Sequence, residues 1–399
     1  LYLCAILVTK FINIMIIGIP KEIMPGEARV SATPETVKKF VADGAKVLVE
    51  KDAGIGSFFS NEAYKEAGAT IINSAKEVFE KSDLILKVKE PQFNNEFNAH
   101  EVDMMHEGQY LVTFLHPAAP ANHDMIRSLA KKGVIGLTLE GVPRISRAQN
   151  MDGLTSMSTC AGYKGILMAA NALPKFIPQM FTAVGMLPPS TVLVVGVGVG
   201  GLQALATAKR LGAVTHAVDI RPAAMEQATS LGAKVFDLGV PAELAIGEGG
   251  YAKYLPKEWL AKEREKLNEI LPQMDIVFLS ALVPGRVAPI LITEDMVKRM
   301  KPGSVIIDIS IDQGGNCEIT PPGKTEVKHG VTICGIKNIP GMIPTSSTHM
   351  FAHNVYSFVK NMMKDGKVVI DRSDEIISST LVTIQNEIVH AGTREAMNI

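Results

Sequence analysis

Two kinds of apolar pattern alternate along the chain. Between residues 15 and 141, short unbroken runs, MIIGI (15–19), AKVLVE (45–50), LILKVKE (84–90), YLVTFL (110–115) and VIGLTLE (134–140), predict buried strands. PETVKKFVADG, NEAYKEAG and HDMIRSLAKKG, lying among them, carry apolar residues at helical spacing with glycine stops. Such alternation predicts a parallel sheet with helices on both faces. A helix rich in small residues is expected next in SMSTCAGYKGILMAANAL (156–173), ended by Pro174. A second series follows through TVLVVGVGVGG, AVTHAVD, AKVFDL, DIVFLSAL, GSVIIDIS and GVTICG. Past the loop NIPGMIPTSST, the spacing in HMFAHNVYSFVKNMMK (349–364) predicts a last helix, expected to pack back on the first domain.

The fold class expected is therefore α/β: two Rossmann-like, doubly wound parallel-sheet domains with a cleft between them. The N-terminal domain is expected to be discontinuous, residues 15–150 plus 345–399, and the nucleotide-binding domain to occupy 151–344. A length of 399 residues accommodates this, at roughly 100 to 200 residues per domain. The first twenty residues, LYLCAILVTKFINIMIIGIP, come near the length of a membrane span, but Lys10 and Asn13 interrupt them. No basic region or cleavage site frames them as a signal peptide, so residues 1–14 read as an extension ahead of a fold that starts near Met15. No other stretch reaches span length.

Charge narrows the partners. Forty basic residues against 41 acidic leave a net charge of -1, which gives no reason to expect nucleic acid or an anionic membrane. Cys4, Cys160, Cys317 and Cys334 are widely spaced, without CxxC or Cys/His clustering. They read as reduced thiols, and no metal is expected.

The strongest chemical signal is VLVVGVGVGGLQALATAKRLGAVTHAVDIRP. A buried strand runs into Gly196-x-Gly198-x-x-Gly201, then a helix, then a second strand ending at Asp219, 18 residues beyond Gly201. Gly196 permits the tight turn, Gly198 lets backbone approach a pyrophosphate, and Gly201 lets the helix pack on the strand. The helix that opens at Val199 offers unpaired N–H groups and a partial positive charge to phosphates. Asp219 can accept from both hydroxyls of an adenosine ribose and would repel a 2′-phosphate, which favours NAD(H) over NADP(H). Arg221 can partly screen that charge.

RISRAQNMD (144–152), the glycine motif, DIRPAA, GGYAK, ALVPGR, MKPGSVIIDIS, GGNCE and the closing DEIISSTLVTIQNEIVHAG occur in that order. Together they make the chain after Met15 resemble the soluble NAD(H)-binding alpha component of proton-translocating nicotinamide nucleotide transhydrogenase. The resemblance implies direct hydride transfer between NAD(H) here and NADP(H) on a partner subunit, coupled by a membrane-spanning subunit to proton movement. It further implies a homodimer in the cytoplasm, held at the inner membrane through its partners. By the same resemblance, Arg144, Gln149 and Asp152 orient the nicotinamide end, with Arg147 and Thr155 nearby. Asp152 would accept from the carboxamide, Gln149 would bridge ribose hydroxyls, and Arg144 would meet the pyrophosphate or the carboxamide. Ile220 would flank Asp219, Gly250 and Tyr251 would lie on a closing loop, and Leu282 would sit under a ribose. A solvated loop is the plain alternative for RISRAQNMD, and a glycine-rich surface turn for the segment around Tyr251.

Alanine dehydrogenases share this two-domain fold, and their pattern is also present. EARVSATPE, KVKEP, FLHPAAP and DISIDQGG carry Arg29, Lys89, His116 and Asp312 at positions that resemble the dehydrogenase substrate site. There an Arg and a Lys grip a 2-oxo acid, a His moves the proton and an Asp lies near the nicotinamide ribose. The histidine departs from the usual transhydrogenase pattern. The competing reading is thus an NAD-dependent dehydrogenase that deaminates L-alanine to pyruvate, or pocket residues retained without turnover.

Overall fold

A computed structural model describes residues 14–247, 252–283, 287–364 and 366–399 of the chain. It has two mainly parallel sheets, each sandwiched between helices, as the alternating pattern predicts. Edge to edge, the first sheet runs Glu387–Ile388, Leu381–Ile384, Ile135–Thr138, Tyr110–Thr113, Leu84–Leu86, Ile16–Ile19, Lys46–Glu50, Thr70–Ile72. The strand Leu381–Ile384 returns from the far end of the chain and pairs antiparallel with Ile135–Thr138. Because side chains alternate across a strand, one face collects Ile17, Val47, Val49, Leu84, Leu86, Val112 and Leu137. The other face collects Ile85, Leu111 and Val382 against the helices Ala75–Lys81 and His123–Lys132.

The second sheet runs Lys234–Val235, Val214–Val218, Thr191–Val195, Ile276–Leu279, Val305–Asp308, Val331–Cys334, Thr325–Lys328. Its strand order reverses between Thr191–Val195 and Ile276–Leu279. The carboxyl ends of those two strands are where an open α/β sheet offers a ligand crevice. Val192, Val194, Phe278 and Ile307 face one helix layer, while Leu193, Val195, Val277 and Ile306 face the other.

One helix belongs to both cores. Gly153–Ala172 buries Met157 and Cys160 in the first core, then Ala161, Ile166 and Ala169 in the second. Its small residues have a steric cause. A Cβ on Gly162 would lie 2.2 Å from the Gly200 carbonyl oxygen, and one on Gly165 would lie 2.7 Å from the Phe278 ring.

Several elements differ from their sequence pattern. The long helix starts at Gly153 rather than 156, because the Asp152 carboxylate caps it through the Thr155 amide at 2.8 Å. LILKVKE is strand only to Leu86, because Lys87 turns into a buried ionic cluster. The returning helix, expected to be the last, starts at Pro344, where proline suits a first turn, and ends at Met362; two short helices, Glu375–Thr380 and Ala391–Met397, follow it. AKVFDL leaves only Lys234–Val235 as edge strand, both residues exposed. The charged helix Lys257–Ile270 has no counterpart among the expected elements, since its sequence lacks an obvious apolar run.

In that ionic cluster, Lys87 Nζ sits 3.2 Å from Glu22 and 3.1 Å from Glu101, all three buried. Glu22 also accepts from the Val88 amide at 2.5 Å, and Glu101 from the Gln92 amide at 2.8 Å, so the trio fixes the turn that presents Lys89. Burial pushes the Glu22 carboxyl up to about 7, with Lys87 holding it down in part. A carboxyl raised on folding binds its proton more tightly when folded. Its stability contribution is present below the unfolded value of 4.5 and is lost as pH rises through about 7. Lys87→Met should therefore cost roughly 3–5 kcal/mol near neutral pH, since two buried carboxyls lose their partner. Urea denaturation should show a larger deficit at pH 8 than at pH 5. A deficit independent of pH would refute this account.

Candidate functional site

The glycine turn has the geometry its spacing predicts. Gly196 sits at φ +86, and a Cβ there would lie 2.6 Å from the Ala281 amide nitrogen. A Cβ on Gly201 would meet the Gly196 carbonyl oxygen at 2.1 Å. Gly198 is different: none of the described residues lies within 4 Å of its Cβ position, so the backbone there is open to a close-approaching group. Helix Val199–Arg210 begins there without a side-chain cap, leaving first-turn N–H groups for an anion. These features fit a dinucleotide pyrophosphate.

Asp219 stands at the end of the next strand, as expected, but it is already engaged. Its Oδ2 accepts from the Val197 amide at 2.7 Å and from Arg221 Nη2 at 2.8 Å. Its Oδ1 accepts from the Arg221 amide at 2.8 Å and from Arg221 Nε at 2.9 Å. A ribose would share this carboxylate with the guanidinium. Ile220 packs, partly buried, against the second core beside it.

A second acid belongs to no sequence motif. Glu263, 6% exposed on helix Lys257–Ile270, has its carboxyl pushed up to about 7 by burial and then by the charge of Asp219, with Arg264 opposing. The spacing Leu260, Glu263, Leu267, Ile270 puts this acid on the buried stripe, and that spacing is the signal the sequence offers. Leu282 lies three residues past the strand Ile276–Leu279 and is 36% exposed. Its neighbour Ala281 is held through both backbone groups by Asn316. Gly250 and Tyr251 lie outside the described residues.

RISRAQNMD divides into anchored and presented side chains. Residues Ser146–Met151 form a 3-10 helix, and Ala148 and Met151 bury into the first core. Arg147 is tied to Asp374 at 2.6 and 3.2 Å, joining the loop to the returning C-terminal segment rather than to the glycine turn. Asp152 binds Thr155 through amide and hydroxyl, at 2.8 and 2.7 Å. Arg144 and Gln149 are exposed to solvent, and Arg144 is not without a partner. The segment is near the glycine turn because the helix it opens crosses Val199–Arg210 at Gly162 and Gly200. A Cβ on Gly200 would lie 3.2 Å from the Ser158 carbonyl oxygen, and Asp152 is only six residues before Ser158, about 9 Å of helical rise.

Arg29, Lys89 and His116 gather in the first domain. Arg29 is buried, with Nε and Nη2 on Glu27 at 2.8 and 2.5 Å, and Nη2 also on Asn338 at 2.7 Å. Lys89 lies close enough to act electrostatically on both Glu27 and His116. His116 adopts φ +44, stacks on Phe114 and binds Glu140 through Nδ1 at 2.5 Å. Asp312 belongs to the other domain, exposed in the turn Ile311–Gln313.

Fold and turn together define a two-domain α/β protein of the Rossmann type. The family follows from comparison: the alanine dehydrogenase/PNT N-terminal domain matches residues 18–161 and the alanine dehydrogenase/PNT C-terminal domain matches 165–391. The chain belongs to the alanine dehydrogenase/PNT family. It is 44% identical over 379 residues to the first part of NAD(P) transhydrogenase subunit alpha of Rhodospirillum rubrum, covering 94% of this chain and 98% of that one. It is 33% identical over 393 residues to alanine dehydrogenase of Staphylococcus saprophyticus subsp. saprophyticus, covering 96% and 97%. Among solved structures, the transhydrogenase of Sinorhizobium meliloti superposes with TM-score 0.81 at 36% identity, covering 94% of this chain and all of that one. An L-alanine dehydrogenase gives 0.79 at 27% identity, covering 96% and 99%. Among the described residues, no helix is long and apolar enough to cross a membrane.

The His116–Glu140 pair makes a pH prediction. Burial works against an imidazolium here, but the Glu140 charge and hydrogen bond outweigh it and raise His116 above its usual 6.5. A histidine raised on folding contributes stability that is fully present below the unfolded value and lost as pH rises through the folded one. NMR titration of His116 should give a value above 6.5 that falls in Glu140→Gln. A value unmoved by that change would break the assignment.

Proposed function

We propose that this chain is the NAD(H)-binding alpha component of a proton-translocating transhydrogenase, passing hydride directly to or from NADP(H) on a partner subunit. One arrangement carries the reading. Gly198 is open and its helix uncapped, and the helix headed by the segment of Arg144 and Gln149 crosses that helix where Gly162 meets Gly200. The strong likeness to transhydrogenase alpha chains supports it.

The bound nicotinamide would supply the hydride, so no side-chain acid or base is required. This chain's residues hold, orient and exclude water. Gly196, Gly198 and Gly201 seat the pyrophosphate on the N-terminus of the helix opening at Val199. Asp219, sharing its charge with Arg221 and backed by Glu263, selects a ribose without a 2′-phosphate. Arg144 and Gln149 steer the carboxamide and ribose, while Asp152 and Thr155 fix the helix end from which they project. Leu282, just past the end of its strand, flanks the nucleotide. The chain works at the cytoplasmic side of the inner membrane, through membrane-spanning and NADP(H)-binding subunits.

A second reading, NAD-dependent alanine dehydrogenase, is favoured by the grouping of Arg29, Lys89 and His116. Against it, the Arg29 guanidinium is spent on Glu27 and Asn338, which makes it a tie between domains.

Mixed with an NADP(H)-binding partner, the chain should pass hydride from NADH to a nicotinamide analogue on that partner, and with NAD and L-alanine it should form no NADH. Gln149→Asn should slow the transfer about 10- to 100-fold, the scale of a misplaced reacting group, with NADH affinity nearly intact. Robust NADH formation from alanine would instead establish the dehydrogenase.

We also assign the homodimer surface to the hairpin Met180–Thr182 and Gly185–Leu187, where Phe181 is 77% and Val184 94% exposed, with Phe176 and Met186 beside them. An apolar patch of this kind on a charged protein marks an interface. Phe181→Lys with Val184→Lys should convert a dimer to a monomer in sedimentation velocity. An unchanged mass would move the interface elsewhere.

A further inference from the structure

The helix that returns from the second domain carries two histidines one turn apart, His349 and His353, with rings 4.6 Å apart. Opposite them, Glu35 projects from the first turn of helix Pro34–Ala42. One ligand atom from each of the three residues can be chosen so that all lie within 4.8 Å of one another. His353 Nε2 is buried, has no hydrogen-bond partner among the described residues by geometry, and stands 3.5 Å from Glu35 Oε2. That separation is close to the edge of a tetrahedron of ligands around zinc, about 3.3 Å for bonds near 2.05 Å. A buried ring nitrogen aimed at a carboxylate without bonding to it is a costly arrangement that a cation between them would relieve.

We propose that Glu35, His349 and His353 form a site for a borderline divalent cation of the zinc type, which clamps helix Pro34–Ala42 to helix Pro344–Met362. Two imidazoles and a carboxylate suit Zn2+ better than the hard cations Mg2+ or Ca2+, which prefer all-oxygen shells. Histidines at i and i+4 share one face of a helix, so a single cation can reach both. Three protein ligands leave a fourth position to water on the exposed side. His353 is kept neutral, as a metal ligand must be. Burial lowers its affinity for a proton, with Lys39 and His349 adding to this and Glu35 opposing.

Lys39 is the built-in competitor. Its Nζ lies 2.9 Å from Glu35 Oε1 and 5.7 Å from the centre of the Tyr356 ring, so it can yield the carboxylate and rest on the ring. The clamp would bear on the cleft, because the same returning helix holds the Arg29 loop. Thr348 Oγ1 accepts from the Val30 amide at 3.3 Å and bonds Ser57 at 2.7 Å. The sequence offered half the signal, HMFAH within a helix; the third ligand is remote in the chain and appears only on folding.

Calorimetric titration of the full untagged chain with Zn2+, and visible absorption with Co2+, test the site without reference to activity. One equivalent should bind, with the intense bands of a four-coordinate Co2+ centre. His349→Ala and His353→Ala should each weaken binding at least tenfold, since loss of even an outer-shell partner costs about 10- to 100-fold. Glu35→Gln should weaken it less, and Lys39→Gln should tighten it. Thermal unfolding of each metal-free variant controls for folding. Binding that survives the double histidine variant, or no binding by a well-folded chain, overturns the proposal.

Discussion

The contact on which the site depends is backbone against backbone, where helix Gly153–Ala172 crosses Val199–Arg210. Gly162 sits so close to the Gly200 carbonyl that a single methyl would collide at 2.2 Å. A crossing this tight lets the N-terminal part of one helix lie over the glycine turn of the other. Since the first half of Gly153–Ala172 is packed in the N-terminal core, the crossing also fixes one domain to the other. The polar segment ahead of the helix inherits its position from this joint. Widen it, and the segment of Arg144 and Gln149 shifts relative to the glycine turn without any change in its own anchoring.

Charge in this protein mostly holds shape. Glu22, Lys87 and Glu101 fix the turn after a central strand, Arg29 ties Glu27 to Asn338 across the domains, and Arg147 fastens the polar loop to Asp374. Each pair is satisfied inside the protein, and breaking one would strand its partner. Asp219 and Glu263 differ. Two carboxyls share one neighbourhood with Arg221 bonded to Asp219 and Arg264 acting on Glu263, which leaves this end of the strand biased against further negative charge.

The fold class was legible in the sequence because the central strands of both sheets are buried on both faces and read as unbroken apolar runs, while the edge strands such as Lys234–Val235 do not. The glycine turn was legible because its strand, three glycines, helix and acid lie in one continuous stretch, although the Ala281 backbone that crowds Gly196 comes from far along the chain. Less could be read where a residue's role is set by a remote partner. Asp152 and Arg147 look alike in a polar string, yet one caps a helix locally and the other reaches Asp374. Glu263 sits in a helix of mostly charged residues, and only the fold brings it to Asp219. Lys87 carries no local sign that it is buried, since its two carboxylates come from before and after its strand.

The same distinction bears on the two chemistries the family contains. Arg29, Lys89 and His116 lie together because the first sheet places the ends of its strands together, and that would hold in either enzyme. What separates the readings is whether those groups are available. Arg29 spends its guanidinium within the protein, and His116 spends Nδ1 on Glu140. A substrate carboxylate would have to break a buried ion pair to reach Arg29, while among the described residues Gly198 has no neighbour at its Cβ position and the nearby helix end lacks a side-chain cap. The least costly place to add a ligand is therefore the glycine turn, where no described ion pair has to be broken, rather than the buried Arg29 pair.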